Sequence, residues 1–388
     1  MPMLVYQQHS ILQSMKSSIE FLKTWFGVCA AGMAAGCSQG LPFRHTITPI
    51  IPTELRSEGE RVTPNSFNYP YAKAYAINDV GHVVGIYNPP APRRWSQIFI
   101  YADGKLSRHD YPCPGILYVV SVTNSRLIAG HCQPSVKSSR EDATPYSFVV
   151  SYAEPGGLRN IQPAWPTKGF FVLGLNDRGD AIGWNPGGSI KSSEKEQIAG
   201  FAYVSGQLHM VHKSDIPDIH ILRYAKINST GFIIGGERKQ RLVAGKFQEF
   251  NQYIFDNGKF VELPSGLSGW VAAINDSGHW VSKDFGLYDG KFSNINCGME
   301  YCSAADINNL GWVVGSGHTS YPIPPMGASF GHSYLWIDGK FYNIDKSVGK
   351  KINFEYPLKI SNKGHIILHS DGWPYLITPT NIPRKSDY

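Results

Sequence analysis

Short phrases recur along the chain in which an apolar run, a polar turn and a second apolar run follow one another. The clearest copy occupies residues 77–85 and reads INDVGHVVG. Its second position, here called the frame position, is polar in every copy. The seven frame residues are Asn78, Thr123, Asn176, Asn228, Asn275, Asn308 and Ser361. They lie 33 to 53 residues apart, and a period of this size indicates a repeat architecture.

Each phrase has the residues of a strand–turn–strand unit. The residue before the frame position is always Ile, Leu or Val, which suits a buried strand. Asn, Thr and Ser carry an oxygen that can accept from backbone amides of a turn. A Gly follows three positions later in six copies, with Arg126 as the exception, and Gly adopts a positive φ without steric cost. The phrase therefore predicts a hairpin of two strands, A and B.

A second half follows each hairpin. It contains an aromatic-rich run and then a tight turn, most often Asp-Gly or Asn-Gly, before a last short run. Such turns between apolar runs predict a second hairpin, of strands C and D. Seven four-stranded antiparallel units predict an all-β fold, the seven-bladed β-propeller. The seventh unit lacks a D strand, so we expect residues 46–51 to complete it and close the ring, which removes an exposed sheet edge.

The first 36 residues have the features of a signal peptide. Lys16 and Lys23 precede the uncharged stretch 25–35, which is too short to span a bilayer. The stretch ends in small residues before Cys37, an arrangement that resembles a bacterial lipobox and implies acylation of Cys37. A plain secretory signal cleaved nearby is the alternative, and Met15 is an alternative start to Met1. We expect residues 37–71 to be a linker with the ring-closing strand, and residues 72–388 to form the propeller.

The cysteines agree with export. Without Cys29 in the signal and Cys37, four remain, and an even number in an exported protein indicates disulfides. Of the three possible pairings we expect the local one, Cys113 with Cys132 and Cys297 with Cys302. The sequence has no CxxC spacing typical of metal sites, so neither a metal nor a cofactor is expected.

The charge pattern is modest. The net charge of +6, with 17% charged residues, gives no reason to expect nucleic-acid binding. No second hydrophobic span follows the signal, so membrane contact is expected through the lipid alone. We expect a monomer.

The phrases at residues 76–85 and 273–278, AINDVGHVVG and AINDSG, resemble the HAF repeats of bacterial extracellular proteins. Those repeats pair an A-x-N-x-x-G-x-V-x-G half with an aromatic half that ends in Asp-Gly. The resemblance covers about residues 72–378, although the His-Ala-Phe of the family is replaced here, for example by Ser147-Phe148. It implies export and a propeller-like repeat, and it transfers no catalytic residue.

Three charged residues occupy a position where the other blades carry small residues. Lys226, Asp306 and Lys359 lie two positions before their frame residues, on the innermost strands. Burying an unpaired charge is costly. Asp306 and Lys359 are therefore expected to pair across neighbouring blades, or all three to line the central channel and meet solvent or ligand.

The loops predict a binding face. The A–B and C–D turns are short and uniform, whereas the B–C and D–A connections, on the opposite face, vary in length. Function usually lies in such variable loops, and Trp and Arg anchor interfaces. The candidates are Arg93, Arg94, Trp95, Trp165, Trp184, Arg238, Trp270, Tyr321 and Trp373.

The predicted function is that of an exported, lipid-anchored binding or scaffold module of the bacterial envelope with an unknown protein or glycan ligand. No catalytic residues are assigned. The alternatives are a hydrolase or lyase acting on a glycan or peptide at the central funnel, and a purely structural envelope component.

Overall fold

The structure is a computed structural model. It describes residues 40–52, 71–89, 96–134, 144–152, 157–186, 198–212, 220–243, 246–256, 259–263, 270–283, 286–295, 301–318, 331–349, 358–370 and 373–381. These residues form seven antiparallel sheets of four strands each, arranged as a seven-bladed β-propeller. The fold predicted from the repeats is confirmed.

The strands of each blade run A to D from the channel outwards. Blade 1 consists of β2 (Tyr71–Ile77), β3 (Val83–Asn88), β4 (Gln97–Ala102) and β5 (Lys105–Asp110). Blade 2 consists of β6 (Gly115–Val122), β7 (Leu127–Pro134), β8 (Tyr146–Ser151) and β9 (Arg159–Ile161). Blade 3 consists of β10 (Phe171–Leu175), β11 (Ala181–Trp184), β12 (Ile198–Val204) and β13 (Gln207–His212). A short helix, α1 (His220–Arg223), leads from blade 3 to blade 4.

Blades 4 to 7 continue the pattern. They are formed by β14 (Lys226–Ile227), β15 (Ile233–Val243), β16 (Lys246–Asp256) and β17 (Lys259–Glu262); β18 (Val271–Ile274), β19 (Trp280–Ser282), β20 (Gly286–Tyr288) and β21 (Phe292–Asn294); β22 (Tyr301–Ile307), β23 (Val313–His318), β24 (Gly331–Ile337) and β25 (Lys340–Asn343); and β26 (Lys359–Ile360), β27 (Ile366–Ser370), β28 (Trp373–Pro379) and β1 (His45–Pro49). Helix α2 (Ile344–Val348) follows blade 6. Within the described ranges, no helix has the length and apolar character needed to cross a membrane.

The N-terminal strand closes the ring, as predicted. β1 pairs antiparallel with β28 from His45↔Pro379 to Pro49↔Tyr375. One more backbone bond extends each end, from Ile50 N to Pro374 O at 3.1 Å and from Thr380 N to Arg44 O at 2.9 Å. The last blade thereby gains its outer strand.

The Gly at the end of the repeated phrase has a packing role. Gly85, Gly130 and Gly183 on the B strands are each paired with a Phe on the C strand. A Cβ added to Gly183 would lie 2.1 Å from the ring of Phe201. The aromatic ring therefore lies directly over a position that admits no side chain, which explains why a B-strand Gly and a C-strand aromatic recur together.

The frame Asn joins neighbouring blades as well as closing its own turn. In blade 5, Asn275 Oδ1 accepts from Ser277 N at 3.1 Å and His279 N at 2.9 Å, while its Nδ2 donates to Asn308 O of blade 6 at 3.0 Å. The same inter-blade donation occurs from Asn78, Asn176, Asn228 and Asn308. Thr123 and Ser361 have no amide to donate. The frame residue therefore ties five of the seven blade junctions together.

Candidate functional site

The channel opens at the turn face, the face of the A–B turns, into a cavity of about 210 Å³. The inner wall of this cavity is formed by the seven residues that directly precede the frame positions. These seven side chains form an aliphatic collar of Ile77, Val122, Leu175, Ile227, Ile274, Ile307 and Ile360. The collar makes the inner part of this cavity apolar.

A polar rim surrounds the mouth of the cavity. It consists of the residue after each frame position: Asp79, Asn124, Asp177, Ser229, Asp276, Asn309 and Asn362. In six of the seven steps the backbone N–H of one member donates to the side-chain oxygen of the next, and Asn362 N to Asp79 Oδ1 at 2.8 Å closes the circle. The carboxylate and amide oxygens of the rim thus link neighbouring blades by hydrogen bonds. No group of three or more His, Cys, Asp or Glu in the described part of the chain is arranged to hold a metal ion.

Asp306 is held by its own blade and by the next. Its Oδ1 accepts from Ile307 N at 3.2 Å, and its Oδ2 accepts from Ile360 N at 3.1 Å. Lys359 Nζ lies 3.7 Å from Oδ2, which is the pairing expected between blades 6 and 7. Ser121 plays a similar part, since its Oγ accepts from Leu175 N at 3.1 Å. A polar side chain two positions before the frame therefore caps an N–H of the following inner strand.

Lys226 has a different environment. It is half-buried on β14, and within the described residues its ammonium has neither a hydrogen bond nor an ion pair. Burial lowers its pKa to about 8; the charges of Lys359 and Lys283 lower it as well, against the opposing effect of Asp306. The charges that act on Lys226 thus belong to blades 5, 6 and 7, the three blades that follow its own.

In blades 2 to 5, large side chains lie on or beside the A and B strands at their long-loop end, the end toward the B–C and D–A connections. In blade 2, His131 stacks on Tyr118 with ring centroids 4.9 Å apart. It also stacks on Phe171 of blade 3 at 4.3 Å. Phe171 in turn meets Trp184 edge-on at 5.9 Å. These rings run continuously from one blade to the next.

Cations continue the series into blades 4 and 5. The guanidinium of Arg223 lies 5.4 Å from the ring centroid of Trp184 and 5.6 Å from that of Tyr224. Tyr224 stacks on Trp270 at 4.3 Å, and Lys283 Nζ lies 5.5 Å from the Trp270 centroid. Arg223 and Lys283 are exposed, whereas the three rings are half-buried. We call the whole series the aromatic–cation arc: Tyr118, His131, Phe171, Trp184, Arg223, Tyr224, Trp270 and Lys283.

Two histidines, His131 and His369, are buried in B strands. His131 Nδ1 lies 3.1 Å from Val172 O of the next blade, and burial lowers its pKa to about 4. His369 Nε2 accepts from Ala74 N at 3.0 Å across the blade 7–blade 1 junction. Burial, with the charge of Lys73 beside it, lowers the pKa of His369 to about 3. Both imidazoles are therefore neutral at neutral pH, and each links its own blade to a neighbouring blade.

The predicted binding-face residues do not all lie at the surface. Trp165 and Trp373 are only 3% and 6% exposed, so the expectation that they are presented to a ligand is wrong. Trp165 stacks on Phe201 of blade 3 at 5.1 Å. Its connection also contacts blade 2, where Ser147 N donates to Thr167 O.

Trp184 and Trp270 are half-exposed members of the arc. Arg93, Arg94, Trp95 and Tyr321 lie outside the described residues, and only the backbone of Arg238, on β15, is described.

The first predicted disulfide is confirmed. Cys113 and Cys132 are bonded with a Cα separation of 5.7 Å, which ties the segment after β5 of blade 1 to β7 of blade 2. Cys302 is also disulfide-bonded. Cys297 and Cys37 lie outside the described residues, so the 297–302 pairing and the lipidation stay predictions.

No protein-family model and no curated protein matches this chain, so the resemblance to HAF repeats stays a prediction. Among solved structures, acylaminoacyl peptidase from Pyrococcus horikoshii is similar over 78% of this chain and 50% of its own, with 13% identity and a TM-score of 0.49. Streptogramin B lyase is similar over 87% and 98%, with 10% identity and a TM-score of 0.48. The WD40 propeller of Doa1 is similar over 83% and 96%, with 14% identity and a TM-score of 0.41.

This chain spans about half the length of the peptidase. At these identities the likeness concerns the fold alone.

The arc was missed by sequence reasoning, although the repeats contain its signal. Tyr118, Phe171 and Trp270 lie five positions before their frame residues, and His131, Trp184 and Lys283 lie eight positions after them. Aligning the seven phrases on the frame position places these large side chains in two columns. The strand pairing then sets the two columns opposite one another, as in Tyr118↔His131 and Phe171↔Trp184.

Proposed function

We propose that the protein is an exported, lipid-anchored binding module whose ligand or partner is held on the long-loop face. The observation that carries this proposal is the aromatic–cation arc. Its exposed cations, Arg223 and Lys283, rest on half-buried rings, and aromatic and Arg side chains are the usual anchors of recognition.

The turn face offers less for recognition. Its A–B turns are short, and the side-chain oxygens of its polar rim already accept from neighbouring backbone N–H groups. The channel likewise gives little support to a hydrolase or lyase, because Asp306 already accepts two backbone N–H groups and pairs with Lys359. Binding on the long-loop face is therefore favoured over catalysis.

Three further features support export and anchoring. The Cys113–Cys132 disulfide is typical of proteins that fold in an oxidising compartment. The small residues before Cys37 resemble a lipobox, and the resemblance to HAF repeats also implies export. The lipid would place the binding module at the envelope surface.

Retention on isolated envelopes tests the binding face. Purified protein starting at residue 38 is mixed with outer-membrane and peptidoglycan fractions, and the bound share is measured by sedimentation. We expect Arg223→Ala combined with Lys283→Ala to lower retention at least fivefold without changing Tm. Matched controls are Lys105→Ala and Lys340→Ala, which are exposed beside C–D turns on the opposite face. Equal loss in both pairs, or retention unchanged in the first pair, would contradict the assignment.

A further inference from the structure

The two columns of positions that contain the arc lie side by side at the long-loop end of the inner strands. One column lies five positions before the frame residues, and the other lies eight positions after them. The strand register sets the columns opposite one another in blades 1, 2, 3 and 6, as in Lys73↔Ile86 and Ser303↔Ser316. In blade 5 the backbone N–H of Lys283 donates to Trp270 O at 2.8 Å, which brings the same two positions together.

The two columns carry positive charge and no carboxylate. The first consists of Lys73, Tyr118, Phe171, Arg223, Trp270, Ser303 and Tyr356, and the second of Ile86, His131, Trp184, Gly236, Lys283, Ser316 and His369. Three of these side chains are Lys or Arg, and none is Asp or Glu. The polar rim on the opposite face contains carboxylates instead, so the two faces differ in charge near the channel.

Aromatic rings hold two of the cations in place. The Arg223 guanidinium lies 5.4 Å from the ring centroid of Trp184 and 5.6 Å from that of Tyr224, and Lys283 Nζ lies 5.5 Å from the Trp270 centroid. A cation over a ring is attracted by the quadrupole of the ring and keeps its charge. Both cations are exposed, and within the described part of the chain neither forms an ion pair. Their charges are therefore available to a ligand.

The two cations are separated by a pair of rings. Tyr224 and Trp270 stack with centroids 4.3 Å apart and planes 10° apart. Each ring of this pair has one face covered by the other ring, so Arg223 and Lys283 contact the remaining faces. A small anion that binds one cation leaves the other without a counter-charge. Charge complementarity therefore calls for a ligand with several anionic groups along its length.

The rings also indicate what joins these anionic groups. A ligand that reaches from Arg223 to Lys283 crosses Tyr224 and Trp270, which are half-buried and present part of their apolar surface. Such surface suits the C–H groups of a sugar ring. The backbone of an acidic peptide would place polar amide groups there. A chain of sugars that bears anionic groups satisfies both the cations and the rings.

We propose that the arc binds a polyanionic glycan, with anionic groups at Arg223 and Lys283 and a sugar ring across the Tyr224–Trp270 pair. This inference rests on the proposed function and names the ligand chemistry of the same face. Carboxylate and sulfate groups offer the two cations the same kind of charge, and the experiment separates them. No bond is made or broken.

Dextran sulfate and carboxymethyl dextran are the probes, and plain dextran, which has the same backbone without charge, is the comparison. Binding to the purified protein starting at residue 38 is measured by calorimetry over a series of salt concentrations. We expect at least one charged dextran to bind at least tenfold more tightly than plain dextran, with an affinity that falls as salt rises. Binding of only one charged dextran identifies the anionic group that the site selects.

Arg223→Gln combined with Lys283→Gln removes both charges from exposed positions, and its Tm shows that it folds. We expect it to weaken binding at least tenfold and to make the affinity less dependent on salt, which a loss of packing alone would not do. Lys283→Arg keeps a cation over Trp270 and should retain binding. Lys105→Gln combined with Lys340→Gln removes the same charge from the opposite face and should bind as the unaltered protein does.

Equal weakening by the two double variants would show a general attraction of a basic protein for polyanions and would overturn the inference. So would equal binding of plain dextran, or tighter binding of polyglutamate, which carries its carboxylates on a peptide. If no charged dextran binds but envelope retention still depends on Arg223 and Lys283, this inference fails while the proposed function stands. If a charged dextran binds through both cations but envelope retention does not depend on them, the proposed function fails while the glycan chemistry of the arc stands.

Discussion

Replacing Asn275 separates the two roles of the frame residue. The side chain is 4% exposed and makes three hydrogen bonds, two within its turn and one to Asn308 O of the next blade. Asn275→Ser keeps an oxygen for the turn, as Ser361 does when His365 N donates to its Oγ at 3.2 Å. The substitution removes the inter-blade donor and the bond from Ser277 N, because Ser361 shows only the second turn bond, the one from His365 N. Asn275→Ala removes all three bonds.

The expected magnitudes follow from these contacts. One net hydrogen bond contributes about 1 kcal/mol to stability. Asn308 O also accepts from Gly311 N at 3.0 Å, so its carbonyl stays bonded in Asn275→Ser. We expect Asn275→Ser to lower the free energy of unfolding by about 2 kcal/mol, since the inter-blade bond and one of the two turn bonds are lost. Asn275→Ala should lower it by about 3 kcal/mol, because both turn N–H groups and the inter-blade acceptor lose Asn275 as their partner.

Urea unfolding followed by fluorescence measures these changes, provided that the transition is cooperative and the m-value is unchanged. Thr123→Asn is the reciprocal variant. It supplies the missing amide at the junction of blades 2 and 3 and should raise the free energy of unfolding. Equal losses for Asn275→Ser and Asn275→Ala would refute the separation of roles. So would a loss below about 0.5 kcal/mol in both, since each then falls under the value of one hydrogen bond.

Three other predictions concern the disulfide, the lipid and the buried histidine. Replacing Cys113 and Cys132 by Ser should lower stability by about 3 kcal/mol, the chain-entropy value for a closed loop of this length; urea unfolding of the double variant checks it, and a loss below about 1 kcal/mol would contradict that value. Cys37→Ser should move the protein from the detergent phase to the aqueous phase in the bacterial host, and an unmodified Cys37 in the intact mass of the unaltered protein would rule out lipidation. His369 has a folded pKa of about 3, below its unfolded value, so its contribution is fully present above pH 6.5 and is lost as the pH falls toward 3. The slope of stability between pH 6.5 and 4 should be smaller in His369→Gln, and an unchanged slope would show that another group controls acid unfolding.

The fold was predictable because each repeat contains the Asn and Gly residues that its turns require. The alternation of Asn, Gly and apolar runs specified four strands per unit, and the missing last strand pointed to residues 46–51. The burial of Trp165 was not predictable in the same way. Its connection has no repeat-wide pattern, and whether a loop Trp faces solvent or folds onto Phe201 depends on contacts between segments distant in the sequence.

In the candidate site, too, some features could be predicted from the sequence and others could not. The pairing of Asp306 with Lys359 followed from the adjacency of blades 6 and 7. The arc needed three-dimensional contacts, because Arg223 and Tyr224 are adjacent in the chain, yet they contact side chains of different blades, Trp184 and Trp270. A sequence reading of the loops alone grouped buried and half-exposed aromatic residues together.

The strand that closes the ring also determines how the proposed anchor would hold the molecule. Leu41 N donates to Ser347 Oγ on α2, and Phe43 stacks on Trp312 of blade 6 at 5.5 Å. Leu41 lies four residues after the proposed lipid on Cys37, so the chain between them spans about 14 Å at most. The outer edge of blades 6 and 7 would therefore stay close to the bilayer, with the rest of the ring projecting from it. A pull on the anchor would be carried along β1 and its pairing with β28, so the segment that tethers the propeller to the membrane would also be the one whose release opens the ring.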